Sequence, residues 1–429
     1  MDSVPSLQNL AVELKIRIVE HLVGGADLEQ WVLRRSHRQC HPQSADARSE
    51  VTRARNNLKL VHGLDRDFRA IVASYLHQAV DLTRGIFAVT RPQCGWSDSD
   101  ETLLWCTLTL RYGLLHEVKK PIDRWAAYDD LLFEVVSRCG NLRSLRIRVS
   151  GSDEQLRAHG PIPRTLAALS SEAAARLENL VLEIGSSGVW QLPALADLVS
   201  ACQNLRHLEL VALPSASFPL PAVDHGADEY GIFAAALDNL PSLHTLHLRH
   251  LPPSFFIACS PSSPIAHLSI VSSTGNNPPV PVQPLVQSLS PTLSSLTLGD
   301  LSTSGLAPLD LPLLNSLSLS RVRNPVEDLA PFSGLPITHL HIHAFLLDKL
   351  EELLSVLDLL PASLRHLDIS QIEYDQEYFF EPEELYSRLD ADRARLAEWC
   401  KATDVACEAE ELKPQYPWRS ERYERKMGF

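Results

Sequence analysis

The hexamer L-x-x-L-x-L, with Ile allowed for Leu, recurs nine times between Leu142 and Ile369 and constrains this chain more than any other feature. It reads LRSLRI from Leu142, LENLVL from Leu177, LRHLEL from Leu205, LHTLHL from Leu243 and IAHLSI from Ile265. It continues as LSSLTL from Leu293, LNSLSL from Leu314, ITHLHI from Ile337 and LRHLDI from Leu364. Two weaker copies lie upstream, WCTLTL from Trp105 and HQAVDL from His77. Side chains alternate across a strand, so the fourth and sixth residues of each hexamer, such as Leu208 and Leu210, share a face. The first Leu stands on the turn into the strand and packs down beside them. One strand of this kind cannot bury its apolar face alone. Stacked neighbours can, as a parallel sheet over a continuous leucine core.

The spacing fixes what lies between. Successive hexamers start 35, 28, 38, 22, 28, 21, 23 and 27 residues apart, and the long steps read as loop insertions. Pro193–Cys202, Tyr230–Asn239 and Leu346–Leu360 read as helical return legs. Pro252–Pro264 and Asn276–Pro284 carry too much proline for a helix and read as loops or extended legs. Glu383–Thr403 is a further helical pattern, with Leu385, Leu389, Leu396 and Trp399 among charges. The strand-like Asp404–Glu408 follows it, and a polar-faced last unit of this kind protects the open end of an array. Residues 411–429 read as a flexible tail.

This pattern resembles the leucine-rich-repeat family, in its cysteine-containing, ribonuclease-inhibitor-like branch. Cys139 in CGNLRSL and Cys202 in CQNLRHL stand just before the strand, as cysteine often does in that branch. The resemblance covers about 100–410. It implies an α/β fold, an irregular solenoid whose parallel sheet lines the concave side. Leucine occurs 72 times in 429 residues and glycine only 18, which fits periodic leucine use and disfavours Gly-rich nucleotide-binding architectures.

Residues 10–23, LAVELKIRIVEHLV, carry Leu10, Leu14, Ile18 and Leu22 at every fourth position, with Val12, Ile16, Val19 and Val23 as a second stripe. A helix apolar on two sides is usually buried on two sides. One side then serves a small core, and the other meets a partner or docks on the first repeat. LAVELKIRIVEHL resembles the first helix of an F-box. Leu64–Ile71 (LDRDFRAI) resembles that family's later segment, and Tyr75–Leu82 (YLHQAVDL) the link into the first strand seen in fungal F-box proteins with repeats. Ala11 stands where the family usually has proline, and the polar, Arg-rich stretch at about 33–57 reads as an insert. The resemblance implies a helical F-box-like module over 1–80, followed by the solenoid and its cap over 81–410. It further implies that Leu10, Leu14, Ile18, Leu22, Leu64 and Phe68 face a Skp-type adaptor, which links to a cullin complex.

Catalytic and cofactor signatures are missing. The sequence holds no G-x-G-x-x-G, no G-x-x-x-x-G-K-[ST], no G-x-S-x-G and no H-E-x-x-H, so no enzyme activity and no cofactor are expected. His339, His341 and His343 alternate along one strand, with His366 and Asp368 one strand on. Same-strand neighbours on one face stand ~6.5–7 Å apart, awkward for a single metal ion, so a polar protein-binding face is expected and no metal. Arg34–His41 (RRSHRQCH) is a basic loop, but a net charge of −14 disfavours nucleic acid and anionic membranes as partners. Gln371–Tyr386 combines five aromatics with acidic residues and reads either as rim anchors or as a loop folded over the core.

Eight dispersed cysteines without a C-x-x-C pair favour a reducing compartment. Asp2, Glu13, Lys15 and Arg17 interrupt any signal-peptide core. No uninterrupted apolar run reaches the ~18–20 residues of a membrane helix. A cytoplasmic or nuclear location is expected.

The expected function is substrate recognition in a cullin–RING ubiquitin ligase, with a target protein held on the repeat surface. The residues expected to face that target are Arg146, Arg148, His207, Glu209, His247, Arg249, His341 and Asp368. The alternative is a leucine-rich-repeat binding scaffold with no role in a ligase.

Overall fold

The computed structural model describes residues 10–23, 57, 58, 60, 61, 64, 66–76, 79–81, 105–111, 143–150, 171–184, 192–212, 227–251, 253–272, 281–299, 301, 303, 306–320, 322, 324–346, 350–358, 363–373 and 382–408. The basic loop Arg34–His41, the rest of the polar insert apart from Asn57, Cys139, the aromatic stretch 374–381 and the tail 411–429 lie outside the described residues. The chain divides into two compact units, Met1–Leu205 and Arg206–Phe429.

The first unit opens with helices α1 (Val12–Val23) and α2 (Arg66–Leu76). Four strands follow, β1 (Ala79–Asp81), β2 (Trp105–Arg111), β3 (Ser144–Ser150) and β4 (Asn179–Ile184), each parallel to the next. Helices α3 (Ser171–Arg176) and α4 (Leu192–Ala201) flank β4 in sequence. Both β3 and β4 start at the third residue of their hexamers and pair there, Ser144 opposite Asn179. Trp105 also pairs with Ser144, so the repeat unit at β2 begins two residues before the WCTLTL copy. A slip of two preserves the face of every side chain, because the strand period is two.

The second unit holds β5 (His207–Ala212), β6 (Thr245–Arg249), β7 (His267–Val271), β8 (Ser295–Gly299), β9 (Ser316–Leu319), β10 (His339–Leu346), β11 (His366–Glu373) and β12 (Ala406–Glu408). Each is parallel to its neighbour in chain order. Between them run α5 (Ala227–Asp238), α6 (Pro253–Ala258), α7 (Gln283–Ser288), α8 (Pro325–Leu329), α9 (Leu350–Leu357) and α10 (Pro382–Thr403). Both units are thus α/β, with all-parallel strands stacked in chain order in the manner of a solenoid.

The first, fourth and sixth hexamer positions build the core. In β6 these are Leu243, Leu246 and Leu248, and in β8 Leu293, Leu296 and Leu298, all buried. Burying each such side chain contributes roughly 1.5–3 kcal/mol. A second stitch repeats at the strand starts. The Arg206 carbonyl accepts the N–H groups of His244 and Thr245, both at 3.0 Å, and the His244 carbonyl those of Ala266 and His267, both at 2.9 Å. The same pairing continues at Ala266, Ser294, Asn315 and Thr338. One carbonyl with two lone pairs satisfies two donors, so each of these turns pairs two backbone N–H groups with a single acceptor.

The described return legs follow the sequence pattern except at two proline-rich stretches: residues 276–280 of the expected loop Asn276–Pro284 lie outside the described residues, and its last two, Gln283 and Pro284, open α7. Residues 192–201 and 227–238 are helical as expected, and Leu350–Leu357 forms the middle of the third expected helix, Leu346 ending β10 instead. Pro252–Pro264, expected as a loop, contains α6. Pro253 occupies its first position, where a missing N–H costs no hydrogen bond, and Phe255 and Phe256 are buried beneath it. The array ends on α10, whose Trp399 donates to Asp358 at 2.7 Å and whose Arg395 pairs with Glu351. Asp404, left-handed at φ 58°, turns the chain into the three-residue strand β12, a short edge that resists further pairing. No helix among the described residues is long and apolar enough to cross a membrane.

Candidate functional site

Opposite the leucines, the second unit presents a polar strand face whose rows follow from the register. His207 pairs with Thr245, Thr245 with His267, and His267 with Ser295. The row continues through Ser316, His339 and His366. Two residues further along each strand lies a second row: Glu209, His247, Ser269, Thr297, Ser318, His341 and Asp368. Alternation, set by the leucine periodicity, puts all of these on one side.

The expected target-facing residues differ sharply within this surface. His341 is largely buried, and its Nδ1 lies 2.5 Å from Asp368 Oδ2, joining β10 to β11. His339 stacks on His366 with ring centroids 4.4 Å apart, and His207 meets His247 at 4.8 Å. Glu209 is fully buried, 3.6 Å from the equally sequestered Arg249. Sequence alternation alone could not separate Glu209 from His247, because alternation sets only the direction in which a side chain leaves the strand.

In the first unit Arg146 pairs with Glu183 across β3 and β4, and both side chains are mostly buried. Asn179 donates to the Ser144 hydroxyl at 2.8 Å beside them. Arg148 stands opposite Glu183 in the register, and its side chain lies outside the described residues.

The helix pair is a second candidate surface. Val19, Leu58, Val61, Phe68 and Val72 form its core, with Ile18, Leu22, Leu64 and Ile71 packed against them. Lys15 is only 2 % exposed, and its Nζ reaches Asp67 at 2.8 Å and lies 5.5 Å from the centre of the Phe68 ring. The buried stripe of α1 therefore runs through Lys15, Ile18, Val19 and Leu22, at helical spacing. Of the six residues expected to face an adaptor, Phe68 is fully buried, Ile18, Leu22, Leu64 and Leu10 are half-buried, and Leu14 is 48 % exposed. Val12, Ile16 and Leu60 are exposed as well. Sequence reading placed Val12 and Ile16 with Val19, but helix geometry sets them on the flank of the stripe.

Other chemistry finds little support here. Burial pushes the Cys202 thiol up to about 12. Burial, with the Asp238 carboxylate as the smaller cause, does the same to Cys259, also to about 12. Both thiols stay protonated near neutrality, and a protonated thiol is a poor nucleophile and metal ligand. Among the described residues no three His, Cys, Asp or Glu side chains come together as a metal site. Compared with known proteins, the chain matches no family model and no curated sequence.

Proposed function

We propose that this chain is a substrate-recognition subunit of a cullin–RING ubiquitin ligase, an F-box-like helical module followed by leucine-rich repeats. In this reading α1 and α2 dock a Skp-type adaptor, and the polar strand face holds a target protein. The protein performs no chemistry itself and takes no cofactor. It raises the effective concentration of a target's lysines near a recruited conjugating enzyme. The acidic balance of the chain supports protein partners over nucleic acid or membrane, in the cytoplasm or nucleus.

One observation carries the adaptor half of this reading. The helix pair buries its own core and still leaves apolar side chains of α1 exposed on both flanks of the buried stripe, Val12 and Ile16 on one and Leu14 on the other. The scaffold reading, with no ligase role, is favoured by a different observation: Phe68 and Val19, within the F-box-like segments, are wholly used in packing. Co-purification with a Skp-type adaptor separates the two. Val12→Asp combined with Ile16→Asp, two exposed positions on one flank of α1, should weaken capture at least 10²-fold, since each lost apolar contact is worth roughly 1.5–3 kcal/mol on burial. If the wild-type chain retains no adaptor, the ligase reading fails and the scaffold reading stands.

A further inference from the structure

The polar face of the second unit is not uniform, and its middle has a chemistry of its own. Across β7, β8 and β9 one row consists of short side chains, Ser269, Thr297 and Ser318; in the other the exposed imidazole of His267 stands on β7, followed by Ser295 and Ser316. Gly299 ends the β8 strip, where an added Cβ would sit 2.8 Å from the Val271 Cγ2 atom, so this position is closed to larger residues. Imidazoles rise on both sides, His247 from β6 and His339 and His341 from β10. The result is a low floor of hydroxyls between taller walls, four strand spacings apart (~19 Å) along the Ser269 row and three (~14 Å) along the Ser295 row.

Charge selects what can lie there. Among the described residues, the polar face of β6 to β9 carries no carboxylate, in a chain whose net charge is −14. The nearest carboxylates on either side are engaged: Glu209 is buried beside Arg249, and Asp368 meets His341. A basic ligand would thus find no counter-charge on the floor. An apolar ligand would cover five hydroxyls without giving them partners, at a cost per group of about 1–3 kcal/mol. An acceptor-only group suits the floor, because hydroxyl and imidazole N–H groups donate to carboxylate oxygens in short, charge-assisted bonds.

We propose that this hydroxyl-floored trough seats an acidic, Asp- or Glu-bearing segment of a partner protein. The inference rests on taking the polar face as the target-holding surface, which the ligase and scaffold readings share. The test is to pan a displayed library of short random peptides against the full-length chain. Recovered peptides should be enriched in Asp and Glu. Binding of the strongest should fall at least tenfold in Thr297→Glu/Ser318→Glu, and should persist in Ile232→Glu, which alters an exposed position on α5. Circular dichroism melts check that each variant folds, and Ser269→Glu alone serves if the double variant does not. Recovery of basic or apolar peptides, recovery of none, or unchanged binding by the floor variant overturns the proposal. Adaptor capture measured on the same variants should stay at the wild-type level. Its failure in the wild type would sink the ligase reading while leaving this one intact.

Discussion

The second unit and the N-terminal helix pair are both small apolar assemblies, yet they hide their leucines by opposite means. In the second unit each strand repeats the last, so a leucine at the fourth hexamer position meets leucines at the same position on both neighbours, and Leu208, Leu246, Leu268, Leu296 and Leu317 are all buried. Repetition makes the face continuous, and the core extends with each added turn. The helix pair, with the helical residues Asn57, Leu58, Leu60 and Val61 beside it, is not a repeated unit. A group this small encloses one stripe of α1 only, so Val19 and Phe68 vanish from solvent while Leu14 and Ile16, five and three residues before Val19, stay outside. The difference teaches that apolar residues in the array report on folding, whereas those in the helix pair divide between folding and association.

The largest expected effect tests that division directly. Leu246→Asp places a charge in the array core, where loss of the leucine alone costs ~2–5 kcal/mol, and the second unit should lose its cooperative melt. Leu14→Asp, the same change on the exposed flank of α1, should shift the melt by under ~0.5 kcal/mol. Equal effects in denaturation would erase the distinction.

Phe68→Ala should cost ~3–5 kcal/mol in the helix pair. Because stability in stacked repeats sums locally, limited proteolysis should cut around α1 and α2 while the main thermal transition holds. A collapse of that transition would show the helices to be integral to the array.

The buried thiols give a pH test confined to the array side. Folding raises the Cys202 and Cys259 values from 9.0 to about 12, so the folded state keeps protons that the unfolded state releases. Their contribution is fully present below pH 9 and is lost as pH rises through the interval from 9 to 12. Denaturation midpoints should fall over that interval, less so in Cys202→Ala/Cys259→Ala. Native-state alkylation at pH 8 should leave both thiols untouched, and rapid labelling would contradict their burial.

The smallest effects come from polar positions. Asp67→Asn should weaken the helix pair by about 1 kcal/mol, because its carboxylate is half exposed although Lys15 is buried. His207→Ser, opposite Leu208 on the same strand, should be nearly silent in a melt. A loss like that of a core leucine would mean that the two faces of β5 are assigned the wrong way round.

Much of the array was legible in the hexamers, down to the shared face of their fourth and sixth residues and the short last strand after α10. The period of two assigns faces with no knowledge of neighbours. The sequence also marked residues 10–23 as helical, from a period near four, and the helix runs from Val12 to Val23. It missed α6, because proline content was read without regard to position: Pro253 stands where a helix tolerates it. It also misread the first helix as two equal stripes, since a four-residue step drifts around a 3.6-residue turn.

The features readable from the residues alone are therefore local and periodic: which residues form strands, which side of each strand is apolar, and that the strands run parallel. Only the tertiary structure decided which polar residues meet water. Glu209 and His247 occupy equivalent rows on adjacent strands, but one is buried against Arg249 and the other is partly open. It likewise set Lys15 inside the helix pair, against Asp67 and Phe68 from another helix. Periodicity fixes the direction in which a side chain leaves the backbone, whereas exposure depends on what distant segments place in front of it.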